Sequence, residues 1–140
     1  MCSKVLLVLI AGFLFVSSGI AADNSEKEKQ ALLATEKWLK AVDTENYSEV
    51  WSDASELLKS AVKKEQFEAS LQSTRKAFGK LVSRKEKSRT YKTTLPGAPD
   101  GEYVIFQFET SFENKKAAIE TVTAMLEKSG QWKTAGYYIK

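Results

Sequence analysis

LPGAPDGEYVIFQFETSF, Leu95 to Phe112, joins a Pro/Gly turn to a run whose apolar residues alternate. Val104, Phe106, Phe108, Thr110 and Phe112 fall on one side of an extended chain, and Tyr103, Ile105, Gln107, Glu109 and Ser111 on the other. That alternation predicts a strand with one face in a core and the other half covered, as in an antiparallel sheet. Burying three phenylalanines at about 1.5–3 kcal/mol each would anchor much of the marginal stability of a small domain.

Downstream, Glu113-Asn114-Lys115 reads as a tight turn and 117–127 as a strand, with Ala118, Glu120, Val122, Ala124 and Leu126 on one face. Ser129-Gly130 turns the chain into a fourth strand over 131–140. There the alternation puts Trp132 and Tyr138 on one side and Ala135, Tyr137 and Ile139 on the other, with Gly136 marking a bend or bulge. Upstream, 80–94 reads as a polar strand whose Arg84, Lys85, Lys87 and Arg89 suit a solvated sheet edge. Connections this short demand antiparallel pairing.

Before the strands the period is helical. Ser25 with Glu28 forms a capping-box pattern, and the helix it opens carries Ala31, Ala34, Thr35, Trp38, Ala41 and Val42 on one stripe, ending near Asp43-Thr44. Asn46 with Glu49 opens a second, short helix with Tyr47, Val50, Trp51 and Ala54 facing inward. Asp53 with Glu56 predicts a further cap. A longer helix from Lys64 places Phe67, Leu71, Thr74 and Phe78 in register and meets Gly79 where a C-cap is wanted. Helices followed by a strand meander make an α+β fold, with N-terminal helices packed on a curved four-stranded antiparallel sheet.

The first 22 residues stand apart. Lys4, an apolar run from Val5 to Val16 and the small residues Ser17 to Ala22 form a signal-peptide pattern, with cleavage after Ala21 or Ala22. An apolar run of about twelve residues is short of the roughly 20 that span a bilayer. Residues 1–22 are therefore expected to be a signal peptide and 23–140 a single α+β domain in the periplasm or outside the cell, without membrane attachment after cleavage.

The one cysteine, Cys2, precedes the apolar run and so is no lipid acceptor, which leaves the mature chain without disulfides, cysteine nucleophiles or thiolate metal sites. Histidine is absent, removing the commonest general base and transition-metal ligand. Setting Lys4 aside leaves twenty basic residues against eighteen acidic ones, too even for a nucleic-acid binder. No cofactor and no metal are expected. The partner is an unidentified small ligand or envelope protein, and a homodimer stays open.

The ordered set Trp38, Tyr47, Trp51, Ala54-Ser55, Arg75, Gly79, Arg84, then Leu95 to Tyr103, Phe112, Glu120-Thr121-Val122, Gly130 to Lys133 and Gly136 to Tyr138 resembles a bacterial exported family, the domain of unknown function 4019. The resemblance spans the mature chain and implies a cone-like fold similar to the nuclear-transport-factor-2-like or cystatin-like group. It implies no established activity.

Strand parity predicts the first candidate site. Glu120 shares the inward face of Val122, and Arg84 shares parity with Val82. A buried carboxylate needs a partner, so Arg84 and Glu120 are expected to meet at the mouth of a pocket, as a structural ion pair or as a ligand anchor. Trp51, Tyr47, Tyr103 and Tyr137, with Trp38, Trp132 and Tyr138, would be the rim of such a pocket or plain core. Arg75 beside Thr74 reads as a surface or pairing residue. Acid–base chemistry could fall only to Asp43, Asp53 or Glu120 with a tyrosine. The leading expectation is a non-enzymatic ligand- or protein-binding module. The alternatives are a histidine-free hydrolase or isomerase using a pocket carboxylate, and a structural protein dimerising through its sheet face.

Overall fold

A computed structural model describes residues 19–140, so the segment read as a signal peptide lies outside the described residues except for its last four. Helix α1 (Gly19–Asp43) buries Ala31, Thr35, Trp38, Ala41 and Val42, the predicted stripe, together with Leu39. It starts ahead of the predicted cap. Ser25 sits inside the helix, exposed, because the preceding residues hold two alanines and no proline, and extending a formed helix gains one hydrogen bond per residue.

Asn46 caps α2 (Tyr47–Ser52) as expected, its side chain accepting from the Glu49 amide at 3.4 Å. The next helix, α3 (Glu56–Ala61), is capped by Ser55 and not by Asp53. Ser55 has the extended backbone an N-cap needs (φ −68°, ψ 157°) and accepts the Leu58 amide at 3.1 Å, whereas Asp53 (φ −91°, ψ 7°) closes the end of α2. Helix α4 (Lys64–Phe78) buries Leu71 and Arg75 and ends on Gly79.

Strands β1 (Leu81–Lys92), β2 (Tyr103–Phe112), β3 (Lys115–Leu126) and β4 (Trp132–Ile139) form one antiparallel meander in the order β1-β2-β3-β4. The fold class is α+β, with α1 lying against all four strands. Val104, Phe106, Phe108, Thr110 and Phe112 are buried on the helix side as their alternation predicts. Tyr103, on the opposite parity, is also fully buried, because the 95–101 turn folds over it and its hydroxyl donates to the Pro99 carbonyl.

Two bulges alter the predicted faces. In β4, Thr123 pairs with Gly136 and Ala124 with Thr134, so Ala135 is the extra residue. Trp132 and Tyr137 thereby share the core side, and Tyr138, expected beside Trp132, is 58% exposed. In β1, a shift between Leu81 and Ser83 sends Val82 outward and brings Arg84 inward, so Arg84 faces the core without sharing the side of Val82.

Gly79 joins helices to sheet at φ 77°, ψ −164°, a region essentially closed to residues with a Cβ, and a Cβ there would stand 3.0 Å from that of Glu113. Gly79→Ala is expected to cost about 1–3 kcal/mol in urea unfolding.

Candidate functional site

Arg84 is the centre of a buried polar cluster to which every strand contributes. Its Nε and Nη2 donate to Glu120 Oε1 and Oε2 at 2.6 and 3.2 Å, and its Nη1 and Nη2 donate to Asp43 Oδ2 and Oδ1 at 2.7 and 3.0 Å. Thr110 of β2 donates to Glu120 Oε1 at 2.6 Å, and the Tyr137 hydroxyl of β4 donates to Oε2. From α4, Arg75 Nη2 reaches Asp43 Oδ1 at 2.9 Å. Glu120, on β3, is fully buried.

Two guanidinium groups face two carboxylates, so the cluster is formally neutral, as a buried ionic group must be to offset its desolvation. Burial alone would lower the pKa of Arg84, but its bonds to Asp43 and Glu120 outweigh that and raise it, so it stays cationic. Burial, then the Glu120 charge and hydrogen bond, pushes the Tyr137 hydroxyl well above its ordinary value and keeps it a neutral donor. A carboxylate has about four lone-pair sites. Those of Glu120 are taken by Arg84 twice, Thr110 and Tyr137.

Of the predicted aromatic residues Tyr137 reaches this pair, through its hydrogen bond to Glu120, while Trp51, Tyr47 and Tyr103 do not gather round it. Tyr137 is edge-on to Trp38 with ring centroids 5.1 Å apart, and Trp51 packs on Phe67 at 6.0 Å. The Tyr47 hydroxyl is buried without a hydrogen-bond partner among the described residues, and burial raises its pKa. Tyr103 lies seven residues along β2 from Thr110, about 23 Å away at ~3.3 Å per residue.

Asp43 and Arg75 complete the cluster, and both left a trace in the sequence. A carboxylate in the last turn of α1 opposes the helix dipole unless a cation answers it. Arg75 stands at the i+4 position from Leu71, inside an apolar stripe, where it stacks 4.8 Å from the Phe112 ring centroid.

Open space lies elsewhere. A cleft of about 340 Å³ runs between α1, the α2–α3 connection and the start of β4. Lys133 and Lys37 place their Nζ atoms 3.2 and 3.7 Å from Asp53 at this cleft, and Gln30, Gln131, Trp132 and Thr35 also line it. Trp132 Nε1 and Thr35 Oγ1 are buried with no hydrogen-bond partner among the described residues. No three His, Cys, Asp or Glu side chains among the described residues gather to hold a metal ion.

A protein-family model described as "Protein of unknown function (DUF4019)" matches residues 34–137. No curated protein and no solved structure matches the chain.

Two measurements check the cluster. Arg84→Lys supplies one point charge where two carboxylates need a fork, and is expected to cost about 3–5 kcal/mol in urea unfolding. The raised pKa of Tyr137 gives stability that is fully present below the unfolded tyrosine value of 10.0 and lost as pH rises above it. Tyr137→Phe should therefore unfold more easily at neutral pH yet show a shallower loss of stability above pH 10 than the parent.

Proposed function

We propose, from the premise that the chain belongs to the DUF4019 family of proteins of unknown function, that it is an exported, non-catalytic binding module that takes a small anionic molecule in the cleft between α1 and β4. The observation that carries this reading is the convergence of Lys37 and Lys133 on one edge of a cleft whose wall holds Trp132 and Thr35, two buried polar residues without partners. Buried polar groups are normally paired, and two unpaired donors in the wall of an open cleft would be satisfied by an acceptor that a small shift of that wall admits. A ligand carboxylate or phosphate would compete with Asp53 for the two ammonium groups. The volume, near the lower end of the ~300–1,000 Å³ range of ligand pockets, suits a small molecule.

The filled coordination of Glu120 and the triple engagement of Asp43 weigh against a hydrolase or isomerase that uses either carboxylate as a base. A dimer through the outer sheet face would have to bury Lys85 and Glu109, which pair across β1 and β2, along with Val82 and Tyr138. Export is supported by the basic and apolar pattern of residues 4–22.

Native mass spectrometry of the protein recovered from the envelope or medium is expected to show a reproducible small adduct. Lys133→Ala should weaken its binding about tenfold through loss of one charged contact of ~1.5 kcal/mol. An empty protein, or an adduct indifferent to Lys133→Ala and Trp132→Ala, overturns the reading. N-terminal sequencing of the same material is expected to begin at Ala22 or Asp23, and a chain still starting at Met1 contradicts export.

A further inference from the structure

The two edges of the sheet are treated differently. Edge β1 carries Lys85, Lys87 and Lys92 and is interrupted by two register shifts, the usual defences against pairing with another chain. Edge β4 has no charged residue from Thr134 to Ile139. Its first half is covered from within the chain, since the Ser55 amide donates to the Thr134 carbonyl at 2.8 Å, the Thr134 amide donates to the Asp53 carbonyl at 3.2 Å, and Ala54 bridges to Thr134 in parallel.

The second half of that edge is left open. Ile119 and Lys140 exchange both backbone hydrogen bonds, at 2.9 and 3.0 Å, so the antiparallel alternation makes Ile139 and Tyr137 the residues that do not bond to β3. Their N–H and C=O groups point to the free edge and have no backbone partner there among the described residues. They face a groove of about 330 Å³ between β4 and α4, walled by Phe67, Leu71 and Thr74 on the helix and by Tyr138 on the strand.

We infer that this groove is an acceptor site for an extended polypeptide segment of a partner protein, which adds to the sheet beside Tyr137 and Ile139 in line with the 53–55 strap. Two donor–acceptor pairs at i and i+2 fit one strand of about four residues, and the apolar wall selects a segment with apolar side chains at alternate positions. The strap shows that this edge already exchanges backbone hydrogen bonds with a passing segment, through one parallel bridge, and the groove continues it. The site is separate from the cleft at Lys37 and Lys133.

The test is amide hydrogen exchange, read by NMR on the full protein, with and without a capped pentapeptide of alternating valine and threonine. The peptide is expected to slow exchange at Tyr137 and Ile139 about tenfold or more while leaving buried β2 amides unchanged. Ser70→Trp fills the groove from an exposed helix position, and Ile139→Pro deletes one outward N–H without touching the β3 ladder, so each should abolish that protection. Protection at other amides only, protection that survives Ser70→Trp, or slow exchange of both amides in the free protein because a second copy occupies the edge, overturns the inference.

Discussion

A guanidinium held between two carboxylates that belong to different layers is the constraint on which the rest of this structure depends. Arg84 comes from an edge strand, Glu120 from an inner strand and Asp43 from the end of the long helix, and the bonds among them fix how far α1 can slide over the sheet. Arg75 adds α4 to the same knot. Hydrophobic burial by Phe106, Phe108, Phe112, Trp38 and Val42 supplies the bulk of the driving force, but that force is non-directional. Directional charge contacts at one point of contact favour a single arrangement of helices over sheet, because any slip leaves a buried charge unpaired.

Much of this fold was legible from local signals. Period-two alternation in 103–112 and 118–126 located two strands and their core faces, and Asn46, Gly79 and the turn at Ser129-Gly130 punctuated the chain where expected. The errors came from events that parity cannot anticipate. A bulge adds one residue to a strand without changing its composition, so Tyr138 and Trp132 parted company in β4 and Val82 and Arg84 did in β1. The competition between Asp53 and Ser55 to cap α3 was settled by backbone dihedrals, which residue type alone does not reveal.

The meeting of Arg84 and Glu120 follows from the cost of an unpaired buried carboxylate, a strong rule. The aromatic residues obeyed no comparable rule. Trp51, Tyr47 and Tyr103 dispersed because each packs locally, Trp51 half-buried against Phe67, Tyr47 half-buried against the core and Tyr103 fully buried under its own lead-in turn, and nothing in apolar packing drives aromatic side chains toward one cleft. The outcome is a closed centre in which Glu120 is fully engaged, while Arg75 Nε and Nη1 are buried there without a hydrogen-bond partner among the described residues, and the open features lie at the β4 side of the domain. A centre of that kind suits a scaffold, and the two binding sites proposed above both lie outside it, at the lysines of one cleft and the open strand edge of another.

The central claim, that one guanidinium couples helix to sheet, is tested most directly by a double-mutant cycle between Asp43→Asn and Glu120→Gln in urea unfolding. These two residues share Arg84 as their common partner. A coupling of about 0.5–3 kcal/mol is expected, because Arg84 stripped of one carboxylate depends more heavily on the other. Strict additivity of the two single effects would contradict it.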